Sequence, residues 1–228
     1  MSQLTISNNW HNMTVSIMNR LVRALIETIE HPVFSSADIQ NIEPNDNIRY
    51  ALVKRAMRDG DLVQIKRGLY TVNPLFRKMP LNRMSLSNRL YYPSYLSMEY
   101  ALSYHGWIPE AVVVFTCATL KNSTVFNTPV GAFSYKRIPQ SLFFSCVDVV
   151  SSGGETALIA RPLKALCDYV YVHKLQWVDR SPLIESLRIE EEDIEMLTSE
   201  DFDSLGGNYT TSKNVEAFIA GLKKDLKL

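Results

Sequence analysis

The chain has 228 residues, 46% of them hydrophobic, enough to build one large or two modest packed domains, which excludes disorder as the main state. Lys+Arg and Asp+Glu both number 24, so the zero net charge excludes a uniformly basic or acidic chain and moves the question to where the charges lie. No apolar run approaches the roughly 20 residues of a membrane-spanning helix, and the start MSQLTISNNWHNM lacks the basic flank and apolar core of a signal peptide, so a cytoplasmic protein without a membrane partner is expected.

In chain order, Met18, Leu21, Val22, Leu25, Ile26 and Ile29 recur at steps of three and four, which predicts a helix over 15–30 with one buried stripe. Ser35 with Asp38 three residues on has the form of a capping box, opening a second helix over 36–42 that Glu43-Pro44-Asn45 breaks. A third helix is expected over 47–58, burying Ile48, Ala51, Leu52 and Ala56 and turning Asn47, Tyr50, Lys54 and Arg58 outward. Asp59-Gly60-Asp61 ends it. Two strands, 62–65 and 69–72, then flank a Lys66-Arg67-Gly68 turn.

Helices followed by a β-hairpin in this order predict a winged helix-turn-helix over residues 1–76. A helix fits the DNA major groove, and a basic hairpin beside it can lay Lys66 and Arg67 along the phosphates. Charge agrees: between residues 45 and 90 ten basic residues stand against three acids, an excess of seven.

The Pro-, Ser- and Arg-rich stretch 77–92 reads as a basic linker able to add phosphate contacts, with a second domain over 93–228. There Ser94 is expected to cap a helix containing Leu96, Tyr100, Ala101 and Tyr104, ended by Gly106. The runs from Ala111 ("AVVVFT"), "GAFSYKRI" and "LFFSCVDVV" read as strands, and Pro162 opens a helix through His173. The fold class expected is therefore α+β, a winged helix-turn-helix followed by a mixed α/β domain. Ten acids against Arg180 and Arg188 mark 179–203, and a last helix falls near 215–222.

Catalytic patterns are sparse. Gly153-Gly154 lacks the Lys and Ser/Thr of a phosphate-binding loop, Asp148 and Glu155 lack the lysine that would complete a nuclease centre, and Ser134 is not flanked as a nucleophile elbow. His105 and His173 have no partner at zinc-ligand spacing. Cys117, Cys146 and Cys167, odd in number and set among apolar residues, suit buried thiols. Neither an enzyme nor a cofactor or metal is expected.

The stretches "LVQIKRGLYTVN", "YPSYLSMEYALSYHGWIPE", "FNTPVGAFSYKRIPQSLFF" and "ALIARPLKALCDYVY" together resemble the AbiEi antitoxins of type IV toxin-antitoxin systems, linked to abortive phage infection. The resemblance spans roughly residues 18–173. It implies an antitoxin that represses its own operon by binding promoter inverted repeats in double-stranded DNA, and that counters a nucleotidyltransferase-like toxin without a stable complex. The positions matching the family's recognition helix and wing are Asn47, Arg49, Tyr50, Lys54, Lys66, Arg67 and Gly68. The alternative is a winged-helix regulator whose second domain senses a ligand or partner and has no toxin.

Overall fold

The computed structural model describes residues 18–206 and 212–228. The chain is α+β and divides into two compact units, residues 1–81 and 82–228.

In the first unit, α1 (Arg20–Thr28) starts at Asn19, whose side chain accepts the Leu21 N–H at 2.9 Å. The helix thus begins later than its apolar stripe suggested, and residues 15–17 lie outside the described residues. Asn19 also donates its backbone N–H to Asp61 and its amide to the Leu52 carbonyl, tying α1 to the hairpin and the third helix. A short strand, β1 (Val33–Ser35), precedes α2 (Ser36–Ile42), which carries the expected Ser35/Asp38 capping box. In α3 (Asp46–Arg58), the Asn45 side chain caps the Asn47 and Ile48 N–H groups.

β2 (Leu62–Lys66) and β3 (Leu69–Val72) form the hairpin around a two-residue Arg67-Gly68 turn, and β1 joins it to give an antiparallel sheet in the order β1-β3-β2. Leu21, Val22, Leu25, Phe34, Ile39, Ala56, Leu62 and Val72 fill the core. Ile48 and Ala51, expected inside, are exposed; the inward face of α3 is Arg49, Leu52, Val53 and Ala56. That set has its own three- and four-residue spacing, rotated by one residue from the expected face.

The stretch expected as a linker is structured. Pro74–Phe76 is a 3-10 turn, and α4 (Arg83–Leu90) is a helix capped by Asn82, with Leu86, Ser87 and Leu90 buried in the second unit. Arg83 and Arg89 therefore belong to the second unit, and the basic excess counted from the sequence straddles both units.

The second unit is a mixed six-stranded sheet in the order β6-β7-β5-β4-β9-β8, built from β4 (Ser94–Leu96), β5 (Phe115–Thr119), β6 (Thr124–Thr128), β7 (Gly131–Arg137), β8 (Val147–Ser152) and β9 (Glu155–Ala160). Ser94 sits in a strand instead of capping a helix; α5 (Met98–Tyr104) follows Ser97 and closes at Gly106, whose φ is +78°. β5 begins only at Phe115, and Val113 before it is 79% exposed.

Helices cover both faces of the sheet. The register places Cys117 opposite Tyr135 and Tyr95 opposite Ala118, so Tyr95 and Tyr135 leave opposite faces. The Tyr135 hydroxyl donates to the Ser87 carbonyl of α4 at 2.6 Å. On the other face, α6 (Pro162–His173) offers Asp168, which accepts from the Tyr95 hydroxyl at 2.8 Å, the Ser97 hydroxyl at 2.7 Å and the Lys164 ammonium at 2.5 Å. Lys164 and Asp168 are wholly buried and paired with each other, so removing either partner would leave the other without its counter-charge.

Short helices α7 (Ser181–Glu185), α8 (Glu191–Glu195) and α9 (Ser199–Leu205) carry the acidic stretch, and α10 (Lys213–Leu226) packs on α6. A Cβ on Gly221 of α10 would lie 1.7 Å from the Val178 carbonyl oxygen, so this helix rests directly on the backbone.

Candidate nucleic-acid interface

The α3 face expected to meet DNA is solvent-facing. Asn47, Tyr50 and Lys54 are exposed along one stripe, Tyr50 to 70%, and the Lys54 ammonium stands 6.0 Å from the centre of the Tyr50 ring. The hairpin tip lies at the start of α2: the Gly68 carbonyl accepts the Ser36 N–H at 3.0 Å. Gly68 has φ +81°, the left-handed conformation glycine adopts without a steric penalty. Arg67 is exposed and Lys66 half-buried.

Between the starts of α2 and α3 and strand β3 runs a cleft of about 430 Å3, lined among others by Ser36, Asn47, Tyr50 and Tyr70. Six of the seven positions singled out in the sequence thus sit on the exposed side of α3 or at the adjoining hairpin tip.

Arg49 is the exception. Its guanidinium turns back over the α2–α3 turn and donates to the Glu43 and Pro44 carbonyls, each at 3.0 Å, and to the Asp46 carboxylate. The side chain is 22% exposed. These carbonyls follow the last turn of α2, where a cation is favoured. Arg49 therefore braces the turn, a role signalled by its spacing with Leu52, Val53 and Ala56.

Other cations near α3 are also engaged. Arg58 and Arg55 reach Asp59 at 2.9 and 3.5 Å, and the Arg58 hydrogen bond holds the Asp59 carboxyl below its usual range. Arg77 donates to the Val72 carbonyl at 3.1 Å. Lys54 and Arg67 are the exposed cations on α3 and at the hairpin tip that the proposed contact uses.

No family model matches the chain, and no curated protein matches it.

In the second unit a smaller cleft, about 190 Å3, is lined by Trp107, Cys146, Arg161, Lys164 and Asp201, among others. Each cation on its wall is held by a carboxylate, Arg161 by Asp148 and Lys164 by Asp168. Cys117 and Cys167 are buried and Cys146 half-buried, all free thiols, and burial pushes Cys117 up to about 12. Among the described residues no group of three or more His, Cys, Asp or Glu side chains could hold a metal ion, and no helix is long and apolar enough to cross a membrane.

Proposed function

We propose that the first unit is a winged helix that binds double-stranded DNA, with α3 entering the major groove and the Lys66-Arg67-Gly68 tip resting on the phosphate backbone. The observation that carries this reading is the exposed Asn47, Tyr50 and Lys54 stripe beside a hairpin whose tip is hydrogen-bonded to the start of α2. A fixed tip presents its charge at a constant height relative to the helix, which register on a duplex requires.

On this reading the chain is the antitoxin and autorepressor of a type IV toxin-antitoxin pair. It binds inverted repeats in its own promoter and counters a nucleotidyltransferase-like toxin without a stable complex. The sequence resemblance over residues 18–173 supports the antitoxin part. A regulator with a sensing second unit and no toxin is the reading left if the neighbouring gene is not a toxin. Fluorescence anisotropy on a labelled duplex from the upstream promoter tests DNA binding: affinity should fall steeply with salt, with a logarithmic slope of about −0.9 per phosphate contact. Absence of binding at low salt, or binding indifferent to salt, would remove the proposal. Co-expression tests the antitoxin part, which requires relief of growth arrest without co-purification of toxin.

A further inference from the structure

The α3 surface also indicates which base pairs it would read, an inference that rests on the DNA-binding proposal. In the major groove, guanine is recognised by an Arg fork or a Lys ammonium, cytosine by a carboxylate, adenine by an Asn or Gln amide, and the thymine methyl by an apolar contact. The first two turns of a recognition helix supply most such contacts.

In α3 those turns contain one guanidinium and one carboxylate, Arg49 and Asp46, and the two are joined to each other, with Arg49 further anchored on the Glu43 and Pro44 carbonyls. The guanine reader is withdrawn, its side chain 22% exposed, and the cytosine reader, though 82% exposed, already accepts from that same guanidinium. Left facing outward are the Asn47 amide, Ile48 at 42% exposure and Tyr50 at 70%. The next outward cation, Lys54, is seven residues from Asn47, about 10 Å along the axis, and leans over Tyr50.

We infer that α3 reads A·T pairs. The Asn47 amide pairs with adenine N6 and N7, Ile48 or Tyr50 packs on a thymine methyl of the same or the next pair, and Lys54 and Arg67 hold phosphates. Asn47 and Tyr50, three apart on one helical face, are surface neighbours about 5–6 Å apart, so their side chains can reach the same base pair or the next one, roughly 3.4 Å along the duplex.

The test is selection of the full chain on a randomised duplex pool at one fixed salt concentration, repeated with Asn47→Ala and Asn47→Arg, with circular dichroism confirming that each variant folds. Expected is a half-site with adjacent A·T positions, one of which loses its preference in Asn47→Ala by roughly 5- to 150-fold, as one bidentate contact does. Asn47→Arg should shift that position to guanine. A selected motif of G·C pairs at the Asn47-dependent positions, or one unchanged by either substitution, overturns the A·T assignment and leaves DNA binding standing. Failure of every duplex to be retained at low salt overturns both.

Discussion

The backbone N–H of Ser36 donates to the carbonyl of Gly68 at 3.0 Å, joining the first residue of α2 to the tip of the hairpin. Gly68 makes this bond at a φ of +81°, and a Cβ there would sit 3.4 Å from the Ser36 hydroxyl. Gly68→Ala should cost about 1–2 kcal/mol of stability, the ordinary penalty for a side chain in left-handed backbone, and Gly68→Asn less, because Asn tolerates that region. Urea denaturation of the full chain measures both; an alanine variant as stable as the parent would mean that the tip relaxes without strain.

Arg49 holds two carbonyls of the α2–α3 turn and one carboxylate with a single planar group. Arg49→Ala should lower stability by about 1–2 kcal/mol, and Arg49→Lys should recover little, because an ammonium lacks the fork that spans three acceptors. If lysine restores full stability, the fork geometry is immaterial and only the charge matters.

Arg67 at the exposed tip is expected to act on phosphates alone. With Arg67→Ala, affinity for every duplex should fall by a similar factor, and the salt slope should shrink by about 1. Loss of preference for particular bases would instead place this side chain in a groove.

Asp168 satisfies three donors, one of them the buried Lys164 ammonium. Asp168→Ala leaves an uncompensated cation in the core and should cost about 3–5 kcal/mol. Lys164→Met combined with Asp168→Asn removes both charges and keeps an acceptor for Tyr95 and Ser97, so the double variant should be the more stable of the two. Calorimetry ranks them, and the reverse order would show that the lone Lys164 ammonium is not what destabilises the alanine variant.

Burial raises the ionisation of Cys117 to about 12 from 9.0 and shifts Cys167 and Tyr95 upward as well. Groups that hold their protons longer when folded stabilise the native state below their unfolded pKa and lose that contribution as pH rises. Stability should therefore be flat up to about pH 8 and fall above 9, by at most about 1.4 kcal/mol per pH unit for each group. Cys117→Ala should make the alkaline decline shallower in denaturation series from pH 8 to 11; an unchanged slope would remove this thiol from the account.

Much of the first unit was legible because its signals are local. The Ser35 capping box, the glycine at the hairpin tip and the apolar steps of α1 each act within a few residues. β1 and β4 went unread because three residues cannot display an alternation. The short sequence of α4, RMSLSNRL, does not separate polar from apolar positions clearly and so resembles a linker; it is helical because Asn82 caps it and the sheet buries Leu86 and Leu90. The candidate site was legible in position but not in orientation. Where the Arg49 guanidinium points depends on two carbonyls in a turn whose geometry exists only after α2 and α3 have packed.

The contact of Gly221 with the Val178 carbonyl gives the last helix a register lock. A slip of one residue along the helix would bring Ala220 or Leu222 to that oxygen, and neither has room for its Cβ. Single-residue insertions or deletions between 178 and 221 that displace this glycine would therefore detach the helix instead of sliding it, so length change in this part of the chain is confined to loops able to absorb it.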